Sequence, residues 1–291
     1  MNSERTQAAE MAAKFIRLKA NCRIPGRFKK RTGEKSPIGL ILGTGWGEAL
    51  KIEVKATIPF RDIPGFETLG NLEGHARKVL IGNFAGRQLV VLQGRVHLNE
   101  APADPQIYKM VRLQTEMLFA LGVQQLIVTS ASGSLFRQPR NRPTMNDLPL
   151  AVGNVAVIDG FVSAYAPDMP LWAGEFYSPE DAISERLNEI ALSYENADLK
   201  CLPAGYLMVR GPFFEGRKYD KPLFAESGAG VIGMSTLPEA CIASLYHAEF
   251  LGLSFVTNTY SEIHSHEENL RRAKTASENL GDFLSHIISR M

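Results

Sequence analysis

Two hydrophobic patterns take turns along the chain. Short β-branched and apolar runs, each closed by glycine or polar residues, occur at Ile38 to Leu42, Lys78 to Ile81, Gln88 to Leu92, Gln125 to Thr129, Val155 to Ile158, Gly205 to Val209, Gly230 to Gly233 and Leu253 to Thr257. Runs of that length and bounding predict strands. Segments with apolar residues at helical spacing lie among them: Gln106 to Leu121, Pro179 to Tyr194, Leu237 to Phe250 and a terminal one from His266 to Ser289. The amino-terminal MNSERTQAAEMAAKFIRLKA has the same spacing between charges. Strands alternating with helices predict an α/β sheet with helices on both faces.

No linker, repeat or low-complexity stretch interrupts this pattern, so residues 1–291 read as a single domain, with 1–35 forming an opening helix and a basic loop. That loop holds Arg27, Lys29, Lys30 and Arg31 among Pro and Gly. Without an aromatic ladder it reads as a solvated loop rather than a nucleic-acid patch. The stretch Phe136 to Leu150, rich in Pro, Asn and Arg, reads as a surface loop.

Composition narrows the class. With 45% hydrophobic residues and 32 Lys and Arg against 31 Asp and Glu, the chain reads as a soluble globular protein. A chain of this length buries about 75% of its unfolded surface and needs neither disulfide nor metal to hold a core. The balance of charge provides no global field to draw in nucleic acid or an anionic membrane, so an anion site must be built locally. Cys22, Cys201 and Cys241 are odd in number, far apart and without a CxxC pair, which argues against a disulfide framework and a zinc site and for a reducing cytoplasm. No apolar run approaches the ~20 residues that span a bilayer, and the amino terminus lacks the apolar core of a signal peptide.

In sheets of this kind ligands bind where strand ends meet the following turns. Gly43-Thr44-Gly45-Trp46-Gly47 follows the first strand; its backbone N–H groups, the Thr44 hydroxyl and the start of a helix would suit an anion. It matches neither a P-loop nor a dinucleotide fingerprint. After the strand at Gln88, the residues Arg95, His97 and Asn99 alternate and would share one face if extended. A forked guanidinium beside an imidazole suits phosphate or carboxylate, the plainer alternative being a surface edge paired with Glu100. The segment Thr129 to Ser134 offers small residues and hydroxyls to a ligand, or forms an ordinary turn. Finally, Phe214 and Glu215 could stack on and accept from a planar heterocycle, while Asn258, with Met234, Ser235 and Thr257 nearby in pattern, could both donate to and accept from a purine edge. Each also has a structural use, as core, helix-terminal charge or turn.

Taken in order, these junctions resemble the trimeric, low-molecular-mass purine nucleoside phosphorylases. The matching pieces are LILGTGWG at Leu40, GHARKVLIGNFAGRQLVVLQGRVHLNE at Gly74, LGVQQLIVTSASGSL at Leu121, GPFFE at Gly211, GVIGMSTLPEACIA at Gly230, Thr257-Asn258, and HEE at His266. The resemblance implies a single-domain mixed β-sheet with flanking helices, a homotrimer, and phosphorolysis of purine nucleosides with inorganic phosphate as co-substrate and no metal or organic cofactor. It implies phosphate binding by Thr44, Arg95, His97, Ser235 and the backbone near Ala131, with His75 close by. On the nucleoside side it places Glu215 at N1–H and Asn258 at N7 of a 6-oxopurine, with Phe214 against the base, Met234 and Asn99 at the ribose, Thr257 beside Asn258 and His266 at the 5'-hydroxyl. Arg95, His97, Glu215 and Asn258 are the residues it makes catalytic.

This chain also departs from the family pattern. Asn99 stands where a Tyr is usual, Ser130 to Ser134 replaces Asn-Ala-Ala-Gly-Gly and leans toward methylthioadenosine phosphorylases, and Asp159-Gly160-Phe161 replaces Asp-His-Ile. The segment Ala164 to Tyr177, which in the family supplies an aromatic residue to the neighbouring subunit, is short and offers Phe176; His264 competes with His266. The alternatives to a 6-oxopurine enzyme are therefore a methylthioadenosine phosphorylase and an inactive nucleoside-binding homologue.

Overall fold

Alternation between two buried faces organises the sheet. In the computed structural model, which describes residues 3–25, 34–70, 76–101, 103–136, 150–166, 168–171, 174–211, 215–260, 262 and 265–291, nine strands among the described residues form one mixed sheet. They are β1 (Ile38–Leu42), β2 (Glu53–Pro59), β3 (Lys78–Phe84), β4 (Arg87–Gln93), β5 (Gln125–Ser134), β6 (Val155–Val162), β7 (Cys201–Met208), β8 (Val231–Gly233) and β9 (Glu249–Asn258). Every residue of β1 is buried, as expected of a strand covered on both sides. Ile41, Val90, Leu92 and Val128 join one core, while Leu40, Leu42, Leu89, Val91 and Ile127 join the other.

Helices supply the covers. The first core takes up α1 (Ser3–Ala20), α2 (Pro105–Ala120) and α5 (Leu237–Leu245); the second takes up α3 (Glu185–Leu192), α6 (His266–Thr275) and α7 (Ser277–Arg290). A short α4 (Asp220–Ala225) precedes β8. Local chemistry sets the helix limits. Asp104 caps α2 by accepting from the Gln106 amide at 2.9 Å. At its other end Gly122, at φ +101°, donates to the Phe119 carbonyl and Val123 to that of Leu118, a Schellman closure.

The order β2-β3-β4-β1-β5-β8-β7-β6-β9, with β9 also pairing β5, curls five of the strands into a ring closed on β5. β1, β4, β5 and β9 run parallel, so their carboxyl ends share one rim. β8 runs antiparallel to the end of β5, bringing the turn after Gly233 back toward the same rim.

Four expectations need correction. The helix expected over Pro179 to Tyr194 is a 3-10 turn at Pro179–Ala182, then a bridge from Ile183 to Phe250, then α3, because Ser184 caps a new helix by accepting from the Leu187 amide. The helix from Leu237 ends at Leu245 rather than Phe250, since His247 takes φ +51° and the chain re-enters the sheet at Glu249. The terminal helix is split at Ala276. β2 was not expected, being a mostly exposed strand at the sheet margin without an apolar run. Cys22, Cys201 and Cys241 carry free thiols, and burial pushes those of Cys201 and Cys241 up to about 12.

Candidate active site

The ends of β1, β4 and β5 are locked around one arginine. Arg95, 1% exposed, donates from Nη1 to Glu239 Oε1 at 2.9 Å and from Nη2 to the Thr129 carbonyl. Gly43 is required beside it: a Cβ there would lie 2.3 Å from the Thr129 carbonyl oxygen and 2.9 Å from Arg95 Nη2. The Gly43 amide donates to Thr129 Oγ1 at 3.0 Å, and Trp46 Nε1 donates to the Ser130 carbonyl at 2.8 Å. Thr44 is half-buried in this turn. The helix expected after it is absent; successive turns occupy 44–49, so any anion held there relies on the turn amides and the hydroxyl.

After β4 the strand ends: residues 94–97 belong to no strand and 98–99 form a turn. Arg95 turns inward to Glu239. The His97 amide donates to Glu100 Oε1 at 2.7 Å, and the residue is half-buried. Glu100 pairs with Arg77, and the plainer reading of a surface edge fails because Arg95 is 1% exposed. Asn99 Nδ2 lies 3.6 Å from Met234 Sδ. A Cβ at Gly211 would come within 2.5 Å of both those atoms, so β4, β7 and β8 exits converge at one point.

The serines of β5 prove to be core groups. Ser130 Oγ donates to Ser254 Oγ at 2.9 Å, which donates to Ser132 Oγ at 2.8 Å, all three buried. Of the expected hydroxyl donors to a ligand, Ser130 and Ser132 are therefore used between β5 and β9, and Thr129 donates to the Ile41 carbonyl of β1. From Leu126 to Leu135 only Ala131 is not buried, leaving it as the accessible point in the carboxyl half of that strand.

Ser235 and Thr236 link β8 to α5. Thr236 is fully buried at φ +77°, a strained conformation for a β-branched residue and one that clusters at functional sites. The Ser235 amide donates to the Tyr206 hydroxyl at 3.4 Å. Burial pushes the Tyr206 phenol up, against the lowering effect of Ser235, Thr236 and the Arg95 charge. Tyr206 and Glu239 thus join the site, although neither stood at a polar strand end in the sequence. Glu239 could have been noticed as a carboxylate in the first turn of an otherwise apolar helix, where the helix dipole favours it.

On the opposite side of the rim, Asn258 ends β9 and is 3% exposed. Thr257 Oγ1 donates toward Asn258 Oδ1 at 3.1 Å and the Ser132 carbonyl at 3.2 Å, leaving Nδ2 as the donor end of the amide. A bulge between Ser132 and Gly133 sets Gly133 opposite Asn258, and a Cβ at Gly133 would lie 2.7 Å from Nδ2. Glu215 Oε1 lies 3.5 Å from Lys221 Nζ, with both side chains buried. Lys221 also donates to the Tyr260 carbonyl at 3.0 Å, so one ammonium ties Glu215 to the segment leaving Asn258. No sequence pattern had marked Lys221.

His75, Phe214 and His264 lie outside the described residues, as do the basic loop at Arg27 to Arg31 and residues 137–149; His266 begins α6. Phe176 is 92% exposed. Among the described residues no group of three His, Cys, Asp or Glu is placed to hold a metal ion, and no helix is long and apolar enough to cross a membrane.

The sequence profile of the Phosphorylase superfamily matches residues 37–289. Purine nucleoside phosphorylase 1 of Geobacillus stearothermophilus is 31% identical over 277 residues, which cover 91% of this chain and 95% of that one. The chain belongs to the purine nucleoside phosphorylase family. Solved relatives share the fold: a Schistosoma mansoni purine nucleoside phosphorylase in complex with adenosine superposes with a TM-score of 0.76 at 25% identity, covering 100% of this chain and 98% of that one. Another, in complex with inosine, does so at 0.76 and 24%, covering 98% and 96%. As a member of this family the chain is a pentosyltransferase.

Proposed function

We propose that this enzyme catalyses reversible phosphorolysis of the 6-oxopurine nucleosides inosine and guanosine. A phosphate oxygen bonds to C1' of the ribose as the C1'–N9 bond breaks, giving ribose 1-phosphate and the free base. The observation that supports the 6-oxopurine reading is the joint presence of an amide at 258, whose Oδ1 accepts from Thr257, and a Glu215 carboxylate braced by Lys221. A carboxylate accepts from the N1–H that a 6-oxopurine has and a 6-aminopurine lacks, and an amide donor suits N7 of the leaving base. Negative charge grows on the base as the bond breaks, so the Asn258 bond strengthens in the transition state. Phosphate placed against an oxocarbenium-like ribose stabilises it electrostatically.

Thr44, Arg95, His97, Ser235 and the Ala131 backbone, with His75, are the proposed phosphate ligands; Asn99 and Met234, with Phe214, Thr257 and His266, complete the nucleoside side. The Ser130 to Ser134 sequence keeps methylthioadenosine phosphorolysis as the alternative reading, although the Ser130 and Ser132 hydroxyls bond to Ser254. The reading extends to residues 1–291 acting as one unit in a cytoplasmic homotrimer that serves purine salvage. It includes inorganic phosphate as co-substrate, no metal or organic cofactor, and no nucleic-acid or membrane partner.

The test is base release from inosine, guanosine, adenosine and methylthioadenosine, each with and without phosphate. Phosphate-dependent release from the first two supports the reading. Preference for methylthioadenosine moves the enzyme to the sister activity, and release without phosphate overturns phosphorolysis.

A further inference from the structure

From Asn258 the chain has only seven residues before α6 begins at His266, and one side chain of that helix reaches back across the link. Arg272 Nη1 donates to the Thr257 carbonyl at 2.6 Å and to Glu262 Oε2 at 2.9 Å. Its Nη2 donates to Glu262 Oε1 and, at 2.7 Å, to Glu268 Oε1. Glu262 in turn accepts from the Thr259 amide at 3.2 Å. The residues on both sides of Asn258 are thus tied to one guanidinium, Thr257 directly and Thr259 through Glu262. Only a planar fork can hold a carboxylate through two nitrogens while one of them also reaches a carbonyl.

The same helix touches the other half of the site. Gly45, at φ +83°, packs so closely on Ala273 that a Cβ there would lie 2.0 Å from the Ala273 Cβ. Helix α6 is therefore fixed against the Thr44 turn by residue 273 and against the Asn258 turn by residue 272. Ser265 secures its start by accepting from the Glu268 amide at 3.1 Å.

We propose that Arg272 is a positioning residue for the leaving-group amide: it fixes the peptides flanking Asn258 so that Nδ2 meets N7 of the departing base. This rests on the phosphorolysis reading and on the role proposed for Asn258. Side chains of Arg272 and Glu262 are 22% and 26% exposed, and ion pairs that water can reach add little to stability. Placement is where such a network matters, since a displacement of about 1 Å costs on the order of 10²-fold in rate.

A nucleoside methylated at N7 separates this role from general support of the fold. In 7-methylinosine the base is already cationic and leaves neutral, so it requires no N7 donor. In the full-length enzyme, Arg272→Ala should lower kcat for inosine on the order of 10²-fold, leave the KM for phosphate unchanged and leave 7-methylinosine nearly unaffected. Arg272→Lys should recover part of the inosine rate, and Arg271→Ala, on the exposed side of the helix, should match wild type. Equal losses on both substrates, or full inosine activity in Arg272→Ala, would overturn the proposal. Should Arg272→Ala fail to fold, Glu262→Gln gives the same ratio of substrates with the guanidinium retained. Wild-type inactivity toward inosine would instead sink the underlying reading, and the role of Arg272 with it.

Discussion

Arg95 and Glu239 form a 2.9 Å ion pair between side chains that are 1% and 2% exposed, joining the exit of β4 to the first turn of α5. Two ions held away from water are tolerable only while each satisfies the other. The other arm of Arg95 is occupied by the Thr129 carbonyl. The arginine that a family resemblance assigns to phosphate is therefore also the peg on which three strand ends and α5 hang.

Breaking this pair should cost more than phosphate affinity. Arg95→Ala strands the Glu239 carboxylate in the core and is expected to destabilise the fold by about 3–5 kcal/mol. The paired change of Arg95→Met with Glu239→Leu should regain most of that stability while phosphate use stays lost. Urea unfolding and the phosphate KM of the single and paired variants check this; an Arg95→Ala variant as stable as wild type would contradict it.

Gly133 predicts a way to disturb Asn258 without replacing it. A methyl group at 133 would sit 2.7 Å from Asn258 Nδ2, so Gly133→Ala must push the amide aside. Asn258→Ala should cost ~2–4 kcal/mol of transition-state stabilisation, the usual loss for one preorganised donor. Gly133→Ala should show a loss of the same kind, in kcat rather than phosphate KM. Steady-state kinetics on inosine decides, and unchanged turnover in both variants would remove the leaving-group role.

The parts of this molecule written in local pattern were legible in the sequence. Strand starts at Ile38, Lys78, Gln125 and Val155 and the start of α5 at Leu237 follow from apolar runs and periodicity. Glycines after those strands also marked the rim, because a turn there must admit close backbone approach. What stayed hidden depends on distant partners. Nothing near Arg95 announces Glu239, which is 144 residues away. Ser130 and Ser132 looked like ligand donors because Ser254 is not visible from β5, and Lys221 is an ordinary charge until α4 delivers it to Glu215. The strands' closure into a ring likewise depends on β9 pairing with both β5 and β6.

The crowding at Gly211 yields a test of the ribose side. A Cβ at that position would come within 2.5 Å of Asn99 Nδ2 and of Met234 Sδ, both at the far ends of flexible side chains. Gly211→Ala should therefore fold with little loss of stability but reshape the point where Asn99 and Met234 meet. We expect a raised KM for nucleoside and an unchanged KM for phosphate. A thermal melt alongside the kinetics separates this from unfolding, and an effect on phosphate alone would place Asn99 and Met234 elsewhere in the reaction.

Phe176 follows a residue that is firmly held. Arg112 donates to Glu175 at 2.6 and 3.1 Å, to Glu116 at 2.7 Å and to the Pro170 carbonyl at 3.2 Å, tying the segment before Phe176 onto α2. Burial pushes the Glu116 carboxyl up, against the lowering effect of Arg112. An aromatic side chain 92% exposed immediately after such an anchor contributes almost nothing to the stability of its own subunit. In the proposed homotrimer this ring would be the one offered to a neighbouring subunit's ribose pocket. Phe176→Ala should leave the unfolding curve of dilute protein unchanged and raise the KM for nucleoside while sparing that for phosphate. Sedimentation equilibrium should report three chains for the wild type. A monomer with full activity would show that each subunit completes its own ribose pocket, and that Phe176 has no part in it.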